Sequence, residues 1–222
     1  MIDIKNLSYS IGGRTLLENI SIYIPSGSKV GIVGANGCGK STLFRLIQRE
    51  IFPEMGEIFL PKDEQLVSVR QEIKNPSEKL LDFIISADEQ LVRLRHLSET
   101  EEDGEKLGAI FEQLEQIDGF NAEIRATVIL SGLGFSTEDL NRPLKEFSGG
   151  WQIRAALAAT LFAPSDTLLL DEPTNHLDFE TSLWLKKYLK KLDKTLLIIS
   201  HDRDILNTLC DKILHLPSGK LY

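Results

Sequence analysis

Eight residues constrain this chain more than any others. Gly34-Ala35-Asn36-Gly37-Cys38-Gly39-Lys40-Ser41 fits the pattern G-x-x-x-x-G-K-[ST]. The short apolar run Lys29-Val30-Gly31-Ile32-Val33 before it reads as a strand, and Leu43, Phe44, Leu46 and Ile47 recur at helical spacing after it, across 40–49. A glycine-rich turn between a strand and a helix lets backbone N–H groups curl around phosphate oxygens, while the helix N-terminus adds its partial positive charge. In such a turn Lys40 reaches the terminal phosphates and Ser41 ligates Mg2+. Gly34, Asn36, Gly37, Cys38, Gly39 and Thr42 complete the cradle, with Cys38 as a small loop residue.

A second feature matches the first. The buried-type strand expected over Thr167–Leu170 delivers Asp171 and Glu172 at its carboxyl end, where open α/β sheets place ligands. Adjacent strand side chains point opposite ways, so one carboxylate can hold the metal while its neighbour polarises an attacking water. An Asp-Glu pair alone is weak evidence. Joined to a phosphate-binding turn, it points to hydrolysis of a nucleoside triphosphate.

The remaining pattern sets these features in an α/β frame. Ile2, Ile4 and Leu7, then Gly12-Gly13, then Ile20, Ile22 and Ile24 predict a hairpin, with two short strands following at Glu57–Leu60 and Leu66–Arg70. From 76 to 133 strand signals vanish, and Leu80, Leu81, Ile84, Leu91, Leu94 and Leu97 recur at helical intervals. Leu107, Ile110, Phe111, Leu114 and Ile117 do so again after a turn at Asp103-Gly104. Helices are expected over Gly150–Phe162 and Phe179–Leu192, and a strand over Thr195–Ile199. The expected fold is α/β: a mixed sheet covered by helices over 1–75 and 134–222, with a helical subdomain inserted at 76–133. The acidic group Glu99, Glu101, Glu102 and Asp103 reads as the solvated tip of that insertion.

Composition narrows the classes. The 222 residues carry 25 Lys and Arg against 33 Asp and Glu, a net charge of −8, so this is not a basic nucleic-acid binder. No apolar run nears the roughly 20 residues of a bilayer span, and 1–5 holds no signal-peptide core. Cys38 and Cys210 suggest neither a zinc site nor a disulfide, which favours a reducing cytoplasm. His96, His176 and His215 receive no ligand role, and Trp151 and Trp184 read as packing residues.

Phe147-Ser148-Gly149-Gly150-Trp151-Gln152, upstream of Leu170-Asp171-Glu172-Pro173-Thr174-Asn175-His176-Leu177-Asp178, resembles an ABC ATPase nucleotide-binding domain across essentially the whole chain. The Trp after Ser-Gly-Gly and the Glu-Pro-Thr-Asn-His-Leu-Asp string are most similar to the amino-terminal ATPase domain of an ABC-F protein. That family is soluble, carries two tandem ATPase domains, and often acts on ribosomes. The resemblance implies one ABC domain over 1–222 that uses ATP and Mg2+, with a signature helix at 148–162. It implies Gln71 as a residue sensing Mg2+ and the attacking water, Asp171 as a metal carboxylate, Glu172 as general base, and His201 as the histidine at the γ-phosphate. Ser148, Gly149, Gly150 and Asp178 would act in trans, at the seam with a second ABC domain, in the same longer chain or in a second copy. The family's adenine-stacking aromatic falls on Ile11, leaving an apolar contact with less selectivity for adenine.

The expected setting is cytoplasmic, with no membrane partner, and with the ribosome reached through chain outside this segment, since 222 falls where a tandem protein would continue. The alternative is the cytoplasmic motor of an ABC transporter. A repair-type or structural ABC ATPase is a third reading, which the lack of a long coiled-coil insertion disfavours.

Overall fold

The computed structural model describes residues 1–69, 75–216 and, by backbone alone, 220–221. It divides into two compact units: Met1–Ser68 with Ser165–Asn175 and Lys186–Tyr222, and Val69–Pro164 with His176–Leu185.

The first unit holds two sheets. Strands β1 (Ile2–Ile11), β2 (Arg14–Ile24) and β4 (Met55–Phe59) form an antiparallel sheet of order β2-β1-β4. The expected hairpin is present, turning at Gly12 and Gly13, whose φ values of 58° and 79° suit glycine. Its alternating residues Ile2, Ile4, Leu7, Ile20, Ile22 and Ile24 all lie in the core. The mixed sheet has the order β5-β6-β7-β3-β8-β9, from β5 (Leu66–Ser68), β6 (Thr167–Asp171), β7 (Thr195–Ile199), β3 (Lys29–Val33), β8 (Lys212–His215) and β9 (Lys220–Leu221). Every pairing in it is parallel except β8 with the edge strand β9. Strand β7 is buried at all five positions, and β6 at every position but Asp171. That is why both read as continuous apolar runs rather than as alternation.

Helix α1 (Lys40–Ile47) sets Leu43, Phe44, Leu46 and Ile47 into the same core as Ile32, Leu169, Leu197 and Ile199. Helix α8 (Arg203–Leu209) begins at Asp202, whose carboxylate accepts from the Asp204 and Ile205 amides. It buries Ile205, Leu206 and Leu209. The sequence reading stopped at β7 and did not anticipate α8, β8 or β9. A seven-residue helix and strands of four and two residues carry too few periods to stand out.

The second unit is helical. It contains α2 (Leu80–Ile85), α3 (Glu89–Thr100), α4 (Gly104–Gln116), α5 (Ala122–Gly132) and α6 (Gly149–Phe162). Helix α7 (Phe179–Lys191) carries the boundary with the first unit. The turn expected at Asp103-Gly104 is the cap of α4, where Asp103 accepts from the Glu105 and Lys106 amides at 2.9 and 3.3 Å. Asp88 caps α3 in the same way. The unit extends beyond the division expected at 133, because α6 packs with α2 and α5 and the start of α7 meets α5. Gly132 lies so close to the Trp184 indole that a Cβ there would collide with the ring, so the periodicity of α5 ends at 133 but its packing continues into α7.

Two predictions follow from the core of the first unit. A Cβ on Gly31, in the middle of β3, would lie 2.7 Å from Leu206 Cδ2 and 2.8 Å from Ile213 Cδ1. Gly31→Val is therefore expected to cost about 1–3 kcal/mol, and an unchanged denaturation midpoint would contradict this packing. Burial, assisted by Asp211, pushes the Cys210 thiol up to about 12. A thiol held protonated in the fold stabilises it at neutral pH and loses that contribution as pH rises from the unfolded value near 9 toward the folded one. The loss of stability between pH 9 and 11 should be smaller in Cys210→Val than in the parent, and equal losses would refute it.

Candidate active site

Strand register places the expected site residues on one edge. Ile32 of β3 pairs with Ile199 of β7, and Ile199 pairs with Asp171 of β6. Three parallel strands thus end level, and the chain leaves each into a different part of the site: the turn from Gly34, the pair Asp171-Glu172, and Ser200-His201. Side chains separated by 130 residues, Ser41 and Asp171, meet there. A cleft of about 580 Å3 opens there, within the usual range for a small-molecule site. Its polar lining comes from Asn36, Lys40, Ser41, Asp171, Glu172 and His201.

The turn is shaped by its glycines. Gly37 and Gly39 take φ values of 74° and 102°, which side-chain-bearing residues rarely adopt. Gly34 sits against the carbonyl of Leu216, where a Cβ would collide. Gly39 precedes α1 with no side-chain cap, and no acidic residue lies in the helix's first turn. The first N–H groups of α1 are therefore left to an anion, as phosphate binding requires. The Lys40 ammonium donates to the carbonyls of Gly34 and Ala35 at 2.8 and 3.1 Å, which holds its charge inside the concavity.

Ser41 Oγ donates to Asp171 Oδ2 at 2.6 Å. A hydroxyl and a carboxylate brought together at the cleft are hard oxygen donors, and they fit Mg2+, which takes few protein ligands and completes its shell with water and phosphate oxygens. Among the described residues no cluster of three or more His, Cys, Asp or Glu could hold a metal by itself. Ser41 and Asp171 would hold the ion, which when bound supplies positive charge against the phosphates.

Glu172 is the most constrained residue of the cleft. Its φ is 47°, a left-handed conformation that costs a glutamate of order 1–3 kcal/mol and tends to mark functional positions. The surrounding structure holds it: its amide donates to Ile199 O at 2.8 Å, and its carbonyl accepts from the Asn175 amide at 3.0 Å. One carboxylate oxygen, Oε2, accepts from the His201 amide at 3.4 Å. The other, Oε1, is buried with no hydrogen-bond partner and lies 3.6 Å from His201 Nε2. His201 Nε2 is also 3.1 Å from Asn36 Oδ1. A buried carboxylate oxygen without a donor costs about 1–3 kcal/mol.

Not every expected residue meets here. Gln71 lies outside the described residues. Ile11 ends β1 half-exposed and is not among the residues lining the cleft, whose apolar lining includes Leu16 of β2. Cys38 packs against the hydrophobic core rather than facing the cleft. Asn175 and Ile199 line it as well, and the sequence reading gave neither a role. Asn175 belongs to the Glu-Pro-Thr-Asn-His-Leu-Asp string, and the signal for Ile199 is its position at the end of β7.

The remaining expected residues belong to the second unit. Ser148 stands at the N-cap of α6 but its hydroxyl makes no capping bond, and Ser148 and Gly149 are exposed. A Cβ at Gly149 or Gly150 would meet nothing within 4 Å. Asp178 accepts from the Thr181 amide at 2.9 Å and so caps α7. That bond, together with the Thr181 hydroxyl and Arg154, draws its carboxyl below the usual range.

A cleft with a phosphate cradle, a hard-oxygen pair for a divalent cation and an unpaired carboxylate beside them is built for hydrolysis of a nucleoside triphosphate. With this fold around it, the chain is an ABC-type ATPase domain that takes ATP and Mg2+. It belongs to the ABC transporter family, whose model matches residues 17–175. The "Probable ATP-binding protein YheS" of Haemophilus influenzae is 45% identical over 224 residues, covering 100% of this chain and 35% of that protein. "ABC transporter F family member 4" of Arabidopsis thaliana is 39% identical over 239 residues, covering 100% and 32%. The chain thus spans about a third of the length of these relatives. Among solved structures, the ATP-binding cassette MJ0796, dimeric in a post-hydrolysis state with ADP and Pi, matches with a TM-score of 0.72 at 24% identity, over 100% of this chain and 98% of that one. At that identity the match shows the fold.

Lys40→Ala removes the one ammonium in the cradle while leaving the glycine turn intact. Equilibrium ATP binding should weaken at least about tenfold, or roughly 1.4 kcal/mol, and parental affinity would contradict the cradle.

Proposed function

We propose that this chain is one ATPase domain of a longer ABC-F-type protein, which closes on a second ABC domain when ATP binds, reopens after hydrolysis, and acts in translation on the ribosome. The observation that carries the hydrolytic part is the Glu172 carboxylate. It is fixed in a strained backbone at the end of β6, with one buried oxygen unpartnered, beside Ser41, Asp171 and His201.

In this reading Lys40 and the amides of the turn bind the β- and γ-phosphates, and Ser41 and Asp171 hold Mg2+. Glu172 Oε1 takes a proton from the attacking water as its oxygen bonds to the γ-phosphorus. The bond from that phosphorus to the bridging oxygen breaks, and ADP and inorganic phosphate leave. Gln71 senses the metal and the attacking water. His201 donates to the γ-phosphate from Nε2, exchanging its contact with Asn36. Leu16 supplies an apolar surface for the base, the part expected of Ile11.

The signature turn Ser148–Gly150 offers uncapped helix N–H groups to a nucleotide held by the partner domain, with Asp178 at the same seam. Nucleotide then joins two domains that bind each other weakly without it. The F-family names among the relatives and the net charge of −8 favour a cytoplasmic machine that reaches RNA through other parts of its chain. No helix among the described residues is long and apolar enough to cross a membrane.

Sucrose-gradient sedimentation of the complete natural protein, with a non-hydrolysable ATP analogue or with no nucleotide, tests the proposal. Analogue-dependent comigration with ribosomes is the expected result. Sedimentation with membranes would favour the transporter motor, and comigration with neither would remove the ribosomal role.

A further inference from the structure

Arg154, on the second turn of α6, makes a set of contacts that the roles above leave unused. Its Nε and Nη2 both donate to the backbone carbonyl of His176, at 3.0 and 2.7 Å. Nη1 reaches Asp178 Oδ2 at 3.3 Å, and the carbonyl of Leu133 at the longer distance of 3.5 Å. The guanidinium lies over the Trp151 ring, 4.6 Å from its centroid. Trp151 packs edge-on against Phe135 at 4.8 Å, and Phe135 against Phe147 at 5.7 Å. Only 13% of the Arg154 side chain is exposed. One planar group thus joins the helix that follows Ser148–Gly150 to the segment that follows Glu172.

The far end of this link is itself constrained. His176 holds a left-handed φ of 68°, a conformation that costs a non-glycine residue energy and persists only where the surroundings enforce it. The two donors on its carbonyl supply that enforcement. Two residues on, Asp178 is fixed by its cap bond to Thr181 and by Arg154. Lysine cannot replace this arrangement: it can offer a charge to Asp178, but not two parallel N–H groups to one carbonyl together with a flat face for an indole.

We infer that Arg154 is a positioning residue that locks the Ser148–Gly150 turn and the His176–Asp178 segment into one surface, so that both meet a second ABC domain together. The inference rests on the proposed reading that these residues act across the seam. It assigns Arg154 no contact with ATP. Its loss therefore lowers turnover, which needs the assembled surface, and spares nucleotide affinity, which resides in the turn from Gly34 to Ser41.

Arg154→Lys and Gly150→Asp, each in the complete natural protein, separate the two levels. ATP dissociation constant, kcat and melting temperature are measured for each. The inference expects Arg154→Lys to lower kcat about tenfold or more, with nucleotide affinity within about twofold and a melting temperature within about 2 °C of the parent. Parental kcat in Arg154→Lys would overturn it. So would a fall in kcat matched by lost affinity or lost melting temperature, which marks a merely structural arginine. Gly150→Asp, at a position with open space for a side chain, tests the underlying reading. If it retains parental kcat, the signature does not act across a seam and the proposed function fails at that point, whatever Arg154→Lys does.

Discussion

The level ending of three parallel strands is the constraint on which the site depends. Ile32, Ile199 and Asp171 share one register across β3, β7 and β6, so the phosphate turn, the carboxylate pair and His201 emerge side by side. A one-residue slip of β6 would exchange the directions of Asp171 and Glu172 and dismantle both the Ser41 contact and the burial of the Glu172 carboxylate. The register is held by burial: β6 and β7 are apolar on both faces, and α1 packs the same core from which its own N-terminus reaches into the cleft. Precision in the site thus derives from hydrophobic packing a few residues away.

On that scaffold the cleft concentrates strain and unpaired polarity where chemistry is expected. Gly37 and Gly39 take conformations that glycine accepts without cost, whereas Glu172 and His176 take left-handed conformations that carry one. The two lie four residues apart, between the end of β6 and the start of α7. Glu172 is held by backbone bonds to Ile199 and Asn175, and His176 by Arg154.

Much of this was legible in the sequence, and the failures have physical causes. The turn from Gly34, the Asp171-Glu172 pair and the alternation of Ile2, Ile4, Ile20, Ile22 and Ile24 are local signals, and each led to the right element. The parallel strands were recognisable because burial on both faces leaves unbroken apolar runs. Helix α8 and strands β8 and β9 were missed because they are too short for periodicity to register. The extent of the helical unit was misjudged because the closeness of Gly132 to Trp184 is a tertiary fact with no local trace. Leu16 carries no local signal, and only the fold shows that this hairpin residue lines the cleft. Arg154 gave no signal, since an arginine on a helix is ordinary until its partners are known.

The proposed assignment of the base to Glu172 sets proton transfer apart from the groups that bind ATP. Single-turnover hydrolysis by Glu172→Gln, with ATP binding measured in parallel, tests it most directly, because the amide keeps the shape of the side chain but cannot take the proton. Affinity within a few-fold of the parent and hydrolysis slower by about 100-fold or more are expected. Hydrolysis at the parental rate would contradict the assignment.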